Sequence, residues 1–442
     1  MDTKRHHVRR LAVLAGAACL SMVLAGCSSG DSGSGSSQTT GVTINVALGS
    51  PPPKAALAAF TKSTGITVKW SNVDWDSLQT KISAAATANT YFADATDVDW
   101  SRVGQLGQLN WFYPMEKYLD TKAMAADMPQ LNTFTSGSHV IGIPYDASFM
   151  VTTVNKDMFA KAGITTMPTT IEQYTKDLQQ IKTAGISQYP LNIPFAAAEG
   201  LSTYWYQTTG AFGGTILNGK DVPQFTDPGS PGYKAAQWMV DALKNGLVPP
   251  GNINVNDSQG QQTLMAKGTV ATTFSDYSGN VGSLYDVPAS SSVVGQVQYL
   301  PTPGVNGPAK NLDNPDGIGI PRQAKYPAAA AEFIKWFTSA DVQVELTGAN
   351  GPELAMESYN FPSRLSAVKT LASKGKLSGS DQLIEMFQNN TSPVFPQGAP
   401  KWYPQFSNAV YTNLHAAATG SMTVDAAIKA IAGTASKLAS GS

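Results

Sequence analysis

Residues 42–70 read VTINVALGSPPPKAALAAFTKSTGITVKW. The β-branched, apolar run at residues 42–48 predicts a strand, because such side chains suit a pleated surface. Residues 53–64 predict a helix that Gly65 ends, since glycine readily adopts the left-handed conformation at a helix C-terminus. Residues 66–70 predict a second strand. This stretch therefore predicts a strand–helix–strand unit.

The next segments repeat the same alternation. Residues 75–88 predict a helix, and residues 96–100 predict a third strand. A strand–helix–strand–helix–strand order predicts an α/β protein with a parallel, doubly wound sheet. In such sheets the loops at the carboxyl ends of the strands face the ligand crevice.

A second α/β unit follows from about residue 140. Residues 149–155 predict a strand, and no internal repeat of 20–50 residues indicates a solenoid. Further helices are predicted at residues 156–162, 170–184, 230–245, 259–267, 327–339 and 423–436. Phe333, Trp336 and Phe337 form an apolar stripe at helical spacing, so we assign Trp336 to the core.

Residues 1–26 have the features of an export signal. Basic residues precede an apolar run at residues 11–24, which is too short to span a bilayer comfortably. The run ends in Leu24-Ala25-Gly26-Cys27, which resembles the lipobox of bacterial lipoproteins. The resemblance implies cleavage before Cys27 and lipidation of its thiol. An ordinary signal peptide with a chance cysteine is the alternative, and Arg9-Arg10 leaves twin-arginine export open.

Residues 27–40 are predicted to tether the folded body to the membrane. After Cys27 the chain reads SSGDSGSGSSQTT, a Gly/Ser-rich segment without apolar periodicity. A frayed N-terminus would have the same composition. Cys19 lies inside the predicted signal, so Cys27 would be the single cysteine of the processed chain, which leaves no pair for a disulfide.

Charge and composition argue against several classes of protein. The 442 residues include 30 Lys and Arg against 31 Asp and Glu, and only 14% of residues are charged. Removal of the signal would leave a formal charge of −4, which argues against nucleic-acid binding. A hydrophobic content of 42% supports large cores.

An ordered set of motifs resembles the family 1 extracellular solute-binding proteins of ABC importers, the maltose-binding-protein-like group. It covers essentially the whole processed chain. The motifs are the Cys27 lipobox, GIPYD at 142–146, VNKDMFAKAG at 154–163, PTT at 168–170, MAKGTVA at 265–271, AAAAEFIKWFTSADV at 328–342 followed by Gln343, NFPSR at 360–364 and GSMTVDAA at 420–427.

The resemblance implies a two-lobe, type II periplasmic-binding-protein-like fold with a hinge and an interlobe ligand cleft. Residues 41–146 plus 310–350 would form the first lobe, and residues 147–309 plus 351–442 the second. Such lobes close on a ligand by hinge bending. The implied function is solute capture without catalysis, with no cofactor, no metal and no nucleic-acid partner.

Enzymatic alternatives lack most of the necessary residues. His139 and His415 are the only histidines after the predicted signal, and the metallohydrolase, phosphate-loop and serine-hydrolase motifs are missing from the body. Paired carboxylates such as Asp313 and Asp316 leave an exported glycan hydrolase open. The Asp clusters could also hold Ca²⁺, although none matches the helix–loop–helix calcium pattern.

The prediction that the ligand is a sugar rests on aromatic residues. Tryptophan and tyrosine combine apolar faces with polar edges, which suits the faces and hydroxyl groups of sugars. Residues that follow predicted strands or their loops are placed at the crevice: Trp75, Asp76, Asp99, Trp100 and Arg102. Tyr145 and Asp146 lie at the first inferred lobe crossing, where hinge and ligand roles compete.

The resemblance adds four further ligand-binding candidates. Trp205 lies in an aromatic segment that resembles one lining the second lobe in the family. Asp276 and Tyr277 follow a predicted strand where the family often places an aromatic residue against the ligand. Trp402 is similar to a C-terminal aromatic residue that stacks on sugar.

The resemblance, together with the aromatic residues, implies a monomeric, extracytoplasmic lipoprotein that binds a mono- or oligosaccharide. Its partners would be ABC transporter permease subunits and, through lipid on Cys27, the cell membrane. A non-sugar solute such as a polyamine remains an alternative, because cationic ends would require several carboxylates in the crevice.

Overall fold

Two β-sheets organise the chain in the computed structural model, which describes residues 36–257, 259–356 and 361–441. The predicted signal peptide, Cys27 and the tether up to residue 35 lie outside the described residues, as does Asn360 of the NFPSR motif. The strands are β1 (Thr43–Leu48), β2 (Thr67–Asn72), β3 (Ala95–Asp99), β4 (Thr135–Ser136), β5 (His139–Val140), β6 (Ile143–Asp146), β7 (Met150–Asn155), β8 (Leu191–Asn192), β9 (Thr272–Tyr277), β10 (Val297–Leu300), β11 (Asn311–Leu312), β12 (Asp316–Gly319) and β13 (Thr391–Ser392).

Helices cover both sheets. They are α1 (Lys54–Thr64), α2 (Trp75–Ala88), α3 (Val103–Gln108), α4 (Thr121–Ala125), α5 (Lys156–Lys161), α6 (Ile171–Thr183), α7 (Glu199–Ala211), α8 (Pro231–Lys244), α9 (Gln259–Ala266), α10 (Pro327–Phe337), α11 (Ala340–Leu346), α12 (Leu365–Ser373), α13 (Ser380–Asn389), α14 (Tyr403–Ala418) and α15 (Val424–Ser440).

The first sheet has the strand order β2-β1-β3-β12-β6. Strands β1, β2 and β3 are parallel, which confirms the predicted strand–helix alternation. The expectation of a wholly parallel sheet is wrong, because β12 runs antiparallel to both β3 and β6. A parallel strand would have to follow a helix that crosses back over this sheet. Strand β12 instead receives the chain directly from the other sheet. It therefore begins at the edge where β3 ends and runs in the opposite direction.

Helix ends in the first lobe follow from local sequence. Asp74 caps α2 by accepting a hydrogen bond from the backbone N–H of Ser77. Gly65 ends α1 in the left-handed conformation, as predicted. Trp336 packs against Phe60 with a ring-centroid distance of 4.9 Å, which confirms its place in the core.

The second sheet has the order β10-β7-β9-β8. Strand β7 is antiparallel to both neighbours, while β8 and β9 are parallel. A large apolar core joins this sheet to α6, α7, α8, α14 and α15. The two sheets, each with its own helices, form the two lobes of the molecule.

The chain passes from the first sheet to the second after β6 and returns before β12. The link after β6 lies beside a later segment, because the backbone N–H of Ala147 donates to the carbonyl of Phe361 at 2.9 Å. Ser363 reinforces this contact: its hydroxyl donates to the carbonyl of Pro144 at 2.6 Å and accepts from the Gln343 amide at 2.7 Å. Hydrogen bonds thus hold the links together.

Candidate ligand site

Two carboxylates meet where strands of the first sheet reach its cleft edge. Asp99 is the last residue of β3, and Asp316 is the first residue of β12. Because these strands are antiparallel, the two residues are direct cross-strand partners. Oδ1 of Asp99 also accepts hydrogen bonds from both the backbone N–H and the hydroxyl of Ser101, which fix the orientation of the carboxylate.

Three aromatic side chains surround these carboxylates. Trp75 is the first residue of α2, and Trp100 directly follows β3. Tyr277 is the last residue of β9, in the other sheet. The Trp100 indole N–H donates to Asn314 Oδ1 at 3.1 Å, which holds the ring in place.

These residues line a cavity of about 260 Å³ between the lobes. The first lobe contributes Trp75, Asp99 and Trp100, and the second contributes Tyr277 and the start of α7. The cavity therefore has the position that the sequence predicts for a ligand crevice. It offers aromatic faces together with hydrogen-bond acceptors.

The cavity wall is strongly acidic. Its carboxylates are Asp76, Asp99, Glu199, Asp257 and Asp316. The hydroxyl of Tyr277 donates to Asp257 Oδ2 at 2.7 Å. The wall can therefore accept many hydrogen bonds from a ligand that carries hydroxyl or ammonium groups.

Arg102 is the cation beside this wall. Its guanidinium lies 3.8 Å from Glu199 across the two lobes. The same group lies over the ring of Trp75 at 5.6 Å and that of Tyr403 at 5.5 Å. Tyr403 in turn donates its hydroxyl proton to Glu199 Oε1. Arg102 thus orders the wall from behind and links its two halves.

Burial and like charge alter the acidity of this region. Burial, then repulsion from Asp97, Asp99 and Asp146, raises the pKa of Asp316 well above its ordinary value. Burial and the Asp99 charge raise the pKa of Asp97 in the same direction. Burial also raises the pKa of Glu199, although Arg102 acts against that shift.

Five of the predicted site residues line the cavity together: Trp75, Asp76, Asp99, Trp100 and Tyr277. Arg102 contacts the wall through Trp75 and Glu199. Tyr145 and Asp146 are not among the lining residues. Tyr145 packs on Phe337 at 5.5 Å, and Asp146 accepts bonds from Ser148 at the lobe link.

Three other predicted residues lie behind the cavity, contrary to expectation. Trp205 is fully buried, with its indole N–H bonded to the Gly232 carbonyl and its ring 5.0 Å from that of Phe225. Trp402 packs edge-on against Phe406 in the same core. In both cases the ring fills space between helices of the second lobe.

Asp276 is the third of these residues. Its carboxylate is buried and accepts bonds from Thr153, Tyr285 and Asn280 side chains, at 2.6, 2.8 and 2.6 Å. Because these partners saturate its oxygens, Asp276 braces β9 from behind the sheet. It is Tyr277, one residue later and on the opposite face of the strand, that reaches the cavity.

A family model described as bacterial extracellular solute-binding protein matches residues 45–344. The chain belongs to this family. The predicted extracytoplasmic location agrees with the description of this family as extracellular.

Several solved structures share the fold of this solute-binding protein. Maltose-bound MalE3 of T. maritima has a TM-score of 0.77 at 20% identity, over 90% of this chain and 100% of the other. The ribitol complex of a solute-binding protein from Agrobacterium radiobacter has a TM-score of 0.78 at 21% identity, over 90% of this chain and 99% of the other. The D-mannitol complex of a solute-binding protein from Agrobacterium vitis has a TM-score of 0.75 at 22% identity, over 90% of this chain and 98% of the other.

Curated relatives match a shorter part of the solute-binding protein. A binding protein of Brucella abortus is 27% identical over 194 residues, which are 43% of this chain and 46% of the relative. A Brucella suis binding protein matches to the same extent. The match thus spans about half the length of these relatives.

Nine lining residues are not predicted as ligand contacts from the sequence, and Glu199, Asp257, Asn314 and Asp316 are the polar ones with most bearing on the site. The sequence points to Asp316 only as a member of a carboxylate pair for hydrolysis. Glu199 and Asp257 come together because Gly200 leaves room: a Cβ there would lie 2.0 Å from Asp257 Cγ. In the sequence, Gly200 directly after Glu199 is the feature that could indicate this close approach.

Neither a metal site nor a membrane span is found in the described part of the chain. No group of three or more His, Cys, Asp or Glu side chains in residues 36–257, 259–356 and 361–441 has the arrangement to hold a metal ion. Within the same ranges, no helix combines the length and apolar character needed to cross a membrane.

Proposed function

We propose that this solute-binding protein captures a carbohydrate between its lobes and delivers it to the permease of an ABC importer. The observation that carries the proposal is the interlobe cavity, in which the aromatic side chains Trp75, Trp100 and Tyr277 stand beside carboxylates. Sugars present apolar faces and hydroxyl edges, and this wall offers a partner for each.

The polar groups of the wall would supply selectivity. Asp99 and Asp316 can each accept hydrogen bonds from vicinal hydroxyls, and Asn314 can both donate and accept. A ligand that lacks the matching hydroxyl would leave a desolvated acceptor without a partner, which costs about 1–3 kcal/mol. The maltose, ribitol and D-mannitol bound by proteins of the same fold are in keeping with a polyhydroxylated ligand.

Closure of the lobes would couple binding to transport. In this proposal residues 41–146 plus 310–350 move as one lobe and residues 147–309 plus 351–442 as the other, about the links near Asp146. A ligand favours the closed state only through contacts that the open state lacks. Trp75 and Tyr277, on opposite sides of the cavity, can provide that difference.

Anchoring is the second part of the proposal. Lipid on Cys27 would hold a monomeric body at the outer face of the cell membrane, and residues 28–40 would let it reach the permease. Cys27→Ser should release the protein from the membrane fraction, as measured by fractionation of cells that express it. Retention of the variant in the membrane fraction would contradict lipid anchoring.

Thermal unfolding with a panel of sugars tests the proposed ligand class. A ligand at about 100 times its Kd stabilises the native state by roughly 2.7 kcal/mol, if it does not bind the unfolded chain. A saturable rise in Tm with one saccharide series is expected. No rise with any mono- or oligosaccharide would contradict carbohydrate capture.

A cationic solute such as a polyamine is the second candidate. The acidic wall favours it, since Asp76, Asp99, Glu199, Asp257 and Asp316 face the cavity while Arg102 stands behind it. Putrescine and spermidine belong in the same thermal assay. A saturable shift with either, together with silence from all sugars, would replace carbohydrate by polyamine as the proposed ligand.

A further inference from the structure

The N-terminal end of the folded body lies beside a cation of the first lobe. The backbone N–H of Ser36 donates to the carbonyl of Lys325 at 3.1 Å. The ammonium group of Lys325 lies 4.6 Å from the centre of the Tyr91 ring. The chain that connects the body to Cys27 therefore leaves it next to a lysine and a tyrosine.

Two further cations belong to the same region. Arg322, three residues before Lys325, places its guanidinium 5.2 Å from the centre of the Tyr113 ring, and the Lys117 ammonium group lies 4.5 Å from the same ring. Arg322 also donates to the carbonyl and the side-chain oxygen of Asn110, at 2.8 and 2.7 Å. In the described part of the chain, none of the three cations forms a salt bridge. Their charges are therefore available to an anionic partner.

Two large apolar side chains are exposed beside these cations. Tyr91 is 36% exposed and Leu109 is 39% exposed. Leu109 directly precedes Asn110, which holds Arg322. Aromatic and apolar side chains next to lysine and arginine are typical of protein surfaces at a membrane–water interface. The name exit surface is used below for Tyr91, Leu109, Lys117, Arg322 and Lys325.

The acidic side chains near the exit surface have other partners. Glu116 accepts a hydrogen bond from the backbone N–H of Val140, and Asp120 caps α4. Asp94 is buried, and it accepts from the backbone N–H of Lys325 at 2.7 Å. The processed chain as a whole would carry a formal charge of −4. An anionic bilayer would therefore attract the exit surface and repel the rest of the body, which orients the molecule.

The exit surface lies at the end of the first lobe that is opposite to the cavity. The cavity carboxylates Asp99 and Asp316 lie where β3 ends and β12 begins. Tyr91 precedes the start of β3, and Arg322 follows the end of β12, at the other edge of the same sheet. A partner on the exit surface therefore leaves the interlobe cavity accessible.

We propose that the exit surface binds anionic phospholipid headgroups of the membrane in which the protein is anchored. The three cations contact lipid phosphates, and Tyr91 and Leu109 reach the layer between headgroups and acyl chains. In this orientation the cavity faces the solution that supplies the solute. The inference rests on the proposed lipid anchor at Cys27.

The length of the connecting chain agrees with this contact. Eight residues, 28–35, separate Cys27 from Ser36. A fully extended chain of this length spans at most about 30 Å. Attraction between exposed charges fades over about 8 Å at physiological ionic strength, so three cations act only on a body that is already close to the lipid. The anchor supplies that closeness, and the exit surface supplies the orientation.

Hydrogen exchange of the vesicle-bound protein tests this contact. The full chain is expressed, and the lipidated protein is purified from the membrane fraction. It is then reconstituted into vesicles of phosphatidylcholine, with or without about one-third phosphatidylglycerol. Exchange in peptides that cover residues 89–92, 107–118 and 321–327 should slow about threefold or more only where phosphatidylglycerol is present. The protection should disappear at about 1 M salt, which shortens the screening length to about 3 Å.

Charge reversal identifies the groups responsible. Lys117→Glu combined with Lys325→Glu should remove the protection, because both lysines are exposed and would then be repelled by the anionic lipid. Lys220→Glu combined with Lys244→Glu is the matched control. It makes the same change in net charge at exposed positions of the second lobe, and it should keep the protection.

Each other outcome overturns the proposal in a recognisable way. Equal exchange in the two kinds of vesicle, or loss of protection in the control as well, would overturn the lipid contact and leave anchoring and solute capture intact. Protection in native membranes of the expressing cells but in neither vesicle would assign the exit surface to a protein partner instead. Absence of the protein from the membrane fraction would overturn the lipid anchor, and the lipid contact with it.

Discussion

Asp316, which lines the cavity, is a side chain whose position costs stability. It faces Asp99 across two antiparallel strands, with Asp97 and Asp146 nearby, so that like charges meet in a partly desolvated place. Burial and this repulsion raise the pKa of Asp316. A proton on Asp316 is therefore held more tightly in the folded protein than in the unfolded chain.

Asp316→Asn should raise the free energy of unfolding at neutral pH by about 1 kcal/mol, since it removes a repelled charge and supplies an amide donor to Asp99. The stability that protonated Asp316 contributes is present below its ordinary pKa of 3.8 and is lost as the pH rises through the raised folded-state pKa. The variant should therefore lose part of the increase in stability that the parent shows on acidification.

Urea unfolding from pH 4.5 to 8 measures this effect. Asp76→Asn is a matched control, because Asp76 lines the same cavity but is exposed. It should leave stability nearly unchanged. If Asp316→Asn is less stable than the parent at pH 8, repulsion between Asp316 and the neighbouring carboxylates does not lower the stability of the parent, contrary to this account.

Trp75→Ala should weaken binding of the saccharide found by the sugar panel by about tenfold or more, because it removes an aromatic face from the cavity. Its effect on stability should be small, since Trp75 is only partly buried at the start of a helix. Titration calorimetry gives the affinity, and thermal unfolding gives the stability.

Trp336→Ala is the matched control for that change. Trp336 is also partly buried, but it packs on Phe60 and Phe333, at 4.9 and 5.6 Å. Its loss should lower stability by about 1–3 kcal/mol and leave affinity unchanged. The reverse pattern in the two variants would remove Trp75 from the site.

Two of the predicted residues that line the cavity owe their place to one strand. Asp99 ends β3 and Trp100 directly follows it, so their position could be derived from the strand alone. Trp205 and Trp402 could not be distinguished from cavity residues, because a tryptophan in the core and one in a binding site look alike in sequence. Glu199 and Asp316 reach the cavity from segments far apart in the chain.

Among the elements, β12 determines the geometry of the site. It lies between β3 and β6 in the first sheet and carries Asp316 at its first position. Close packing of β12 depends on glycine: a Cβ at Gly319 would lie 2.5 Å from the Ile141 carbonyl oxygen and 2.8 Å from side-chain atoms of Phe112 and Val98. Backbone cannot easily move away from such a contact.

Gly319→Ala should therefore destabilise the protein by about 1–3 kcal/mol through overpacking. Gly433→Ala provides a control of opposite sign. Gly433 lies exposed within α15, and a Cβ added there would have no neighbouring atom within 4 Å, so alanine should add about 0.5–1 kcal/mol. Urea unfolding of both variants measures these changes, and equal stability of the two would contradict the packing described for β12.

The direction of β12 could not be predicted from the sequence, in contrast to the strands β1 to β3. Residues 316–319 read DGIG, which is too short and too glycine-rich to specify a register or a neighbour. Strands β1 to β3 were predictable because helices separate them and local periodicity reveals each one. Pairing of β12 with β3 instead depends on the return of the chain from the other lobe.

At the scale of the whole molecule, both lobes contribute to one cavity and Arg102 reaches across to Glu199. Saturation with the bound saccharide should reduce the radius of gyration, because added contacts to both walls favour the closed state. Small-angle X-ray scattering with and without the sugar measures the change. An unchanged radius at saturation would argue against ligand-linked closure.

The central claim is that the interlobe cavity captures carbohydrate. Calorimetric titration of the purified protein with the sugar panel, followed by repetition on Trp75→Ala, tests it most directly. We predict saturable binding of one saccharide per protein molecule, weakened about tenfold or more in the variant. Absence of binding to every sugar, or sugar binding that Trp75→Ala leaves unchanged, would contradict the claim.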